Sequence, residues 1–164
     1  MKKNADRWFP LFVDLHGRKI VVLGVGKIAA RRVGILSSFA EDITIVSPEI
    51  HPQLEQILQQ NGYRWINGTY RPEYLERADL VLVCTADRTL NEEIAHACKK
   101  KGILVNAASD RRLCDFHFPG ILLHEEFTIG LHGGGTHHKE VKALREELET
   151  WLTNHSGQEE KERK

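Results

Sequence analysis

The hexapeptide Gly24-Val25-Gly26-Lys27-Ile28-Ala29 follows an apolar run at 19–24 (KIVVLG) and opens a segment of helical periodicity. In that setting Gly24 permits a tight turn, Gly26 lets the backbone approach a pyrophosphate, and the small Ala29 lets helix and strand pack closely. These spacings suit dinucleotide binding, with Gly24, Gly26, Lys27 and Ile28 as candidate cofactor-binding residues; the plainer alternative is a tight strand-to-helix turn. Val46-Ser47-Pro48-Glu49 closes the next strand, where a ribose would lie. The acidic residue that commonly holds the ribose there is missing, which leaves Ser47, Pro48 and Glu49 as candidates. No Arg or Lys stands ready for a 2′-phosphate, so NAD is expected rather than NADP. Thr85-Ala86-Asp87 leaves another strand at its carboxyl end, the edge at which open α/β sheets bind ligands. Thr85 is a further cofactor candidate; the alternative is a polar turn in which Asp87 caps the next helix.

A second group is the run of histidines His117, His124, His132, His137 and His138, with Cys114 and Asp115 nearby. A metal site needs three or four ligands converging on one point, and these spacings match no zinc motif. Solvated or capping histidines are the default. The alternatives are proton carriers near neutral pH and transient metal ligands, with His132 and His137 as the candidates. A third group is Gly133-Gly134-Gly135-Thr136 ahead of a helix, where exposed N–H groups suit a phosphate or carboxylate; the alternative is a flexible turn with Thr136 as cap. Arg111 and Arg112 add possible carboxylate forks.

The elements that must position these residues alternate. Apolar, β-branched runs at 19–24, 42–46, 63–67, 80–85 and 103–107 read as strands, and 27–39, 51–61 and 91–101 as helices, the last stopped by Gly102. Residues 71–77 form a turn or short helix. This order predicts an α/β fold with a doubly wound parallel sheet. Beyond it, 116–123 and 127–131 read as a hairpin, and 139–152 as a helix with Val141, Leu144, Leu148, Trp151 and Leu152 on one stripe. That stripe needs a partner surface, which predicts a homodimer; packing on its own hairpin is the alternative. The expected division is 1–112 for the sheet domain, 113–153 for the hairpin and helix, and 154–164 for a frayed tail.

Composition excludes several classes. Lys+Arg and Asp+Glu both number 23, so no net field favours nucleic acid or an anionic membrane, and acidic ligands must be held locally. No apolar run reaches the length of a spanning helix. The polar N-terminus has no signal-peptide core, and three scattered cysteines fit neither a disulfide framework nor a CxxC zinc site. A cytoplasmic location is expected.

From 9 to 152 the chain resembles the precorrin-2 dehydrogenase/sirohydrochlorin ferrochelatase family of siroheme synthesis, the module that also begins the multifunctional siroheme synthases. The resemblance rests on Phe9-Pro10-Leu11-Phe12, Gly24-Val25-Gly26-Lys27-Ile28-Ala29-Ala30-Arg31-Arg32, Val46-Ser47-Pro48-Glu49, Thr85-Ala86-Asp87 and Asn91. It continues with Ile103-Leu104-Val105-Asn106, Leu113-Cys114-Asp115-Phe116, Phe118-Pro119, and Gly134-Gly135-Thr136 leading to Leu144-Arg145-Glu146-Glu147-Leu148. It implies a Rossmann-like NAD-binding domain followed by a dimerisation element, with an acidic tetrapyrrole bound between them. It also implies hydride transfer from precorrin-2 to NAD⁺, and in many members insertion of Fe²⁺.

On that resemblance Asn106, Arg111, Gly134, Gly135 and Thr136 are the substrate-binding candidates. Two departures stand out. The family's usual acid/base Asp is here Ser109, followed by Asp110, so Asp110 or His132 is expected to take the proton and Ser109 to hydrogen-bond the macrocycle or a side carboxylate. The family's Ser-Ser-Gly-Gly-Thr-Ser-Pro is here His132-Gly133-Gly134-Gly135-Thr136-His137-His138, which exchanges hydroxyls for imidazoles. The helical extension of longer members is also missing, so one wall of the cleft is expected to be absent or supplied by a partner subunit. The alternatives are a tetrapyrrole metal-chelatase using the histidines, or a non-catalytic NAD- or tetrapyrrole-binding module.

Overall fold

The computed structural model describes residues 8–162, with side chains over 8–155. Its elements are β1 (Lys19–Leu23), α1 (Lys27–Leu36), β2 (Asp42–Ser47), α2 (Pro52–Asn61), β3 (Arg64–Asn67), β4 (Leu80–Val83), α3 (Arg88–Lys101), β5 (Leu104–Ala107), β6 (Gly120–His124), β7 (Phe127–Leu131) and α4 (His138–Glu162). Short 3-10 turns at Pro72–Leu75 and Arg111–Leu113 complete them.

Strands β1 to β5 form one parallel sheet in the order β3-β2-β1-β4-β5, the Rossmann-like arrangement expected from the alternating pattern. The order reverses between β1 and β4, and a switch point of this kind opens a crevice at the carboxyl ends of those strands. In β1 and β4 the residues alternate between two buried faces, which is why these sequences read as unbroken apolar runs, whereas the edge strand β3 is mostly exposed. Val21, Leu23, Val46, Val81, Val83 and Val105 pack with Ile94, Ala95 and Cys98 of α3. The residues between them, Ile20, Val22, Ile43, Ile45 and Leu82, are also buried. On α1 the buried residues are Ala29, Ala30, Val33 and Leu36. A Cβ on Gly34 would lie 3.5 Å from Ile57 Cδ1, an ordinary van der Waals contact where α1 packs beside α2.

Helix ends follow local chemistry. Asp87 caps α3 by accepting from the Leu90 N–H at 3.1 Å, so the helix begins at Arg88 rather than at 91. It ends at Gly102 in the left-handed conformation (φ 72°), with Lys99, Lys100 and Lys101 facing the negative end of the dipole. The first helix closes at Leu36, and 37–39 turn away from it.

By contact the chain forms two compact units, Val13–His117 and a second one drawn from the described chain up to Phe12 and from Phe118. In the second, β6 and β7 pair antiparallel from Gly120↔Leu131 to His124↔Phe127. Val141 of α4 lies over Gly120, where an added Cβ would come within 2.9 Å of its Cγ1. The first residue of the apolar stripe thus packs on its own hairpin, whereas Leu144 and Trp151 are 47% and 55% exposed. The frayed tail expected from Asn154 is instead helical through Glu162, and the last two residues lie outside the described ones. Local contacts run along the helix past the end of the stripe: Thr153 Oγ1 donates to the Glu149 carbonyl at 2.8 Å, and the Trp151 ring stacks on that of His155 at 4.3 Å.

The start of β1 is fixed by Asp79, whose carboxylate accepts from the Lys19 N–H and from Arg18 Nη1, both at 2.9 Å. The Lys19 bond first, and then the Arg18 guanidinium, hold this carboxyl below its ordinary 3.8. A folded pKa lying below the unfolded one contributes stability above the unfolded value and loses it as pH falls through the folded value. Asp79→Asn is therefore expected to lower the urea midpoint at neutral pH and to narrow the gap between neutral solution and solution below pH 3.8. Parallel acid dependence of variant and parent in urea titrations would overturn this role.

Candidate functional site

The carboxyl edge of the sheet gathers most of the predicted residues. Gly24, at φ 97°, donates its N–H to the Val46 carbonyl at 3.0 Å. A Cβ there would sit 2.6 Å from the Cys84 carbonyl oxygen, so only glycine lets the end of β1 lie against the end of β4. Gly26 differs. It is exposed, and a Cβ on it would meet nothing within 4 Å.

Gly26 is also the N-cap of α1, which makes no side-chain cap bond and has no acidic residue in its first turn. In contrast, α2 and α3 are capped by His51 and Asp87. The first N–H groups of α1 therefore face open space with the positive end of the dipole behind them, an arrangement that fits a pyrophosphate. Lys27 and the 46%-exposed Ile28 flank that space, and Ala29 is fully buried, as close helix–strand packing requires.

At the end of β2 the candidates separate. Ser47 is 2% exposed; its hydroxyl donates to the Glu49 carbonyl and accepts from Trp65 Nε1 at 3.2 Å. It shapes the turn from inside. Pro48 and Glu49 are exposed, so the Glu49 carboxylate is the accessible polar group for a ribose.

Beyond β4 and β5 the polar side chains form a network. Thr85 Oγ1 donates to Asn91 Oδ1 at 2.6 Å, and Asn91 Nδ2 donates to the Thr85 carbonyl at 3.0 Å and to Ser109 Oγ at 3.1 Å. Asn91 is fully buried on α3. Asp110 turns to Arg112, accepting its backbone N–H at 2.9 Å and its guanidinium at 2.6–3.1 Å. That pairing, chiefly through the side chain, brings the Asp110 carboxyl down to about 2. Asn106 is 3% exposed and holds the Phe116 carbonyl at 2.7 Å, so its amide supports the chain leaving β5. Arg111 is exposed. Burial raises the Cys84 and Cys114 thiols, which keeps both in the neutral form at neutral pH.

In the second unit, His132 is exposed and stands edge-on to Trp8, with ring centroids 6.2 Å apart. Gly134 and Gly135 adopt positive φ in a turn in which the Thr136 and His137 N–H groups reach the Gly133 carbonyl. His137 pairs with Glu140 at 3.5 Å. Among the described residues no three His, Cys, Asp or Glu side chains converge to hold a metal ion. His132 and His137 therefore gain no built metal centre there. Sequence spacing did not single out the Asn91 node or the Asp110–Arg112 fork. The signals for the first were its place in the family resemblance and a polar residue within the otherwise apolar face of a helix.

Comparison with known proteins agrees with this geometry. Residues 11–120 match the family model NAD_binding_7, described as "Putative NAD(P)-binding", and the chain belongs to that family. It is also similar to siroheme synthases. It is 38% identical over 92% of its length to that of Zymomonas mobilis and 33% identical over 92% to that of Photorhabdus laumondii. It spans about a third of the length of these curated relatives, 32% in each case. Among solved structures, SirC, a precorrin-2 dehydrogenase, superposes with a TM-score of 0.73 at 23% identity, covering 89% of this chain and 74% of that one, and shares its fold. No helix among the described residues is long and apolar enough to cross a membrane.

The two glycines of the loop should respond differently to alanine. Gly24→Ala forces a strained φ and a backbone clash, and should lose on the order of 1–3 kcal/mol from the conformational strain alone. Gly26→Ala should leave the urea midpoint unchanged and weaken NAD⁺ binding by about 10-fold, since its methyl enters the space before α1. Equal NAD⁺ affinity in Gly26→Ala and the parent, measured by calorimetry, would remove the pyrophosphate from this loop.

Proposed function

We propose that this chain is a cytoplasmic, NAD-dependent precorrin-2 dehydrogenase that makes sirohydrochlorin on the route to siroheme. The observation that carries this reading is the stretch shared with siroheme synthases, 92% of the chain, which holds a dinucleotide fold with an open α1 N-terminus at Gly26. The free thiols of Cys84, Cys98 and Cys114 support a reducing compartment.

NAD⁺, when bound, accepts the hydride. Gly24, Gly26 and the first N–H groups of α1 would hold its pyrophosphate, with Lys27 and Ile28 alongside, and Pro48, Glu49 and Thr85 would line the same edge of the sheet. Arg111, Arg112 and the turn formed by Gly134, Gly135 and Thr136 are the groups suited to the tetrapyrrole's carboxylates.

Loss of a hydride leaves a cation that must shed a proton, so a base is required. Asp110 is a weak acceptor while Arg112 holds it. A substrate carboxylate that draws the 84%-exposed Arg112 away returns Asp110 toward the ordinary carboxylate range and frees it to take the proton. His132 is the other available acceptor. Fe²⁺ insertion into the product belongs to the same proposal, with Fe²⁺ as a substrate and with His132 and His137 as exposed imidazoles able to hand it on.

The test is anaerobic incubation with precorrin-2 and NAD⁺, followed by NADH absorbance and then by Fe²⁺ addition with spectral detection of siroheme. Asp110→Asn should lower kcat by about 100-fold or more with NAD⁺ affinity intact, and His132→Gln should leave kcat nearly unchanged. The reverse pattern moves the base to His132. No NADH, with both ligands shown to bind, would sink the dehydrogenase and leave metal insertion or a binding module.

The reading includes a homodimer. One small unit exposes Leu123 at 51%, Phe127 at 65%, Leu144 at 47% and Trp151 at 55%, an apolar set best covered by a second copy. Light scattering should give twice the 18.7 kDa chain mass, and Leu144→Glu with Trp151→Glu should halve it. A parent that already weighs one chain ends the dimer.

A further inference from the structure

We infer that Asn91 is a positioning residue that fixes the Ser109 hydroxyl as a hydrogen-bond donor to an acceptor oxygen of a ligand at the carboxyl edge of the sheet. The inference rests on the proposed dinucleotide and tetrapyrrole chemistry and adds a residue and a polarity to it.

The polarity follows from the bonds. The Thr85 carbonyl can only accept, so the Asn91 atom 3.0 Å from it is the amide nitrogen. The same nitrogen lies 3.1 Å from Ser109 Oγ, and its second hydrogen points there. The opposite side of the amide is held by the Thr85 hydroxyl, 2.6 Å from Oδ1, while the Asp87 N–H donates back to that hydroxyl at 3.2 Å. Both hydrogens of a fully buried amide are spent, and the group cannot turn over without setting an oxygen against the Thr85 carbonyl. Ser109 therefore accepts from the protein. Among the described residues none receives its own proton, and the half-exposed hydroxyl presents that proton at the sheet edge.

A donor held in this way suits a carboxamide or carboxylate oxygen and does not suit proton abstraction. The base must then be another group, in keeping with Asp110 one residue on. Two sources of the acceptor share this chemistry: the carboxamide of the nicotinamide and a carboxylate of the tetrapyrrole. Two turns are tied by one side chain, because Asn91 on α3 joins the turn after β4 to the turn after β5.

The test is equilibrium binding to the full chain, which needs no turnover and so separates this inference from the dehydrogenase reading. Affinities for NAD⁺, for ADP-ribose and for sirohydrochlorin are measured in the parent, Ser109→Ala, Asn91→Asp and Asn91→Ala. In Asn91→Asp an oxygen replaces the amide nitrogen: it draws the Ser109 proton inward and also faces the Thr85 carbonyl, a repulsion that lowers the urea midpoint and is read separately from affinity. Ser109→Ala and Asn91→Asp should produce the same selective loss, about 5- to 10-fold. If NAD⁺ weakens and ADP-ribose does not, the acceptor is the carboxamide; if only sirohydrochlorin weakens, it is the substrate carboxylate. Asn91→Ala, which leaves the hydroxyl free to rotate, should lose less than Asn91→Asp.

A purely structural Asn91 would change all three affinities together, or none, and either result overturns the inference. So does a Ser109→Ala protein with all three affinities unchanged. That variant leaves the Asn91 side chain in place and removes only its bond to Ser109, so it keeps the test decisive where the Asn91 variants fold poorly.

Discussion

The contact on which the rest depends is made by backbone alone: the end of β1 lies against the end of β4, with Gly24 so near the Cys84 carbonyl that a methyl group would stand 2.6 Å from its oxygen. Rotation of a side chain cannot relieve such a contact. It is held from both sides, by the Cys84 N–H on the Leu23 carbonyl at 2.7 Å and the Gly24 N–H on the Val46 carbonyl at 3.0 Å. With the switch point drawn together in this way, the chain can leave β1 only in the direction that aims the start of α1 over the crevice. The open N-terminus at Gly26 follows from the closed one at Gly24.

The helix starts divide the work. Capping by a side chain is worth about 1 kcal/mol, and α2 and α3 take that stabilisation from His51 and Asp87. The first helix forgoes it. A helix start left open beside two internally satisfied ones leaves its partners to be supplied by a ligand, and an anion is what N–H groups and the dipole attract. The same division runs along the sheet edge. Ser47 is spent inside the protein and Ser109 is turned outward, although both are serines at or just past the carboxyl end of a strand.

Much of the sheet was legible because buried parallel strands leave an unbroken apolar signal, as at Lys19–Leu23 and Leu80–Val83. Gly102 marked a helix end for an equally local reason, since it takes a left-handed conformation that side chains resist. What stayed hidden was set by partners distant in sequence. Ser47 has the residue type of a surface ligand, yet it is internal, and the Trp65 indole that bonds it comes from eighteen positions on. Asn91 reads as one polar residue in a helix until Thr85 and Ser109 arrive from two other turns. The length of α4 was hidden differently: apolar periodicity ends at Leu152, yet a helix needs only continued backbone bonding and tolerable propensity to go on to Glu162.

In the proposed reaction a chain of zero net charge meets a polyanion, and some of its cations are already paired at the surface: Arg112 with Asp110 and Arg145 with Glu149. Exposed pairs stabilise the fold only weakly, so exchanging one carboxylate for another across Arg112 costs little. In the proposed reaction the exchange has a second effect, because the carboxylate released is the one placed to take the proton. Binding and activation of the base then share one guanidinium, and linkage makes the coupling mutual: whatever strengthens the Asp110–Arg112 pair weakens the hold on the substrate by the same factor. A tetrapyrrole lacking the carboxylate that meets Arg112 would therefore suffer twice, binding less tightly and meeting a base that is still engaged.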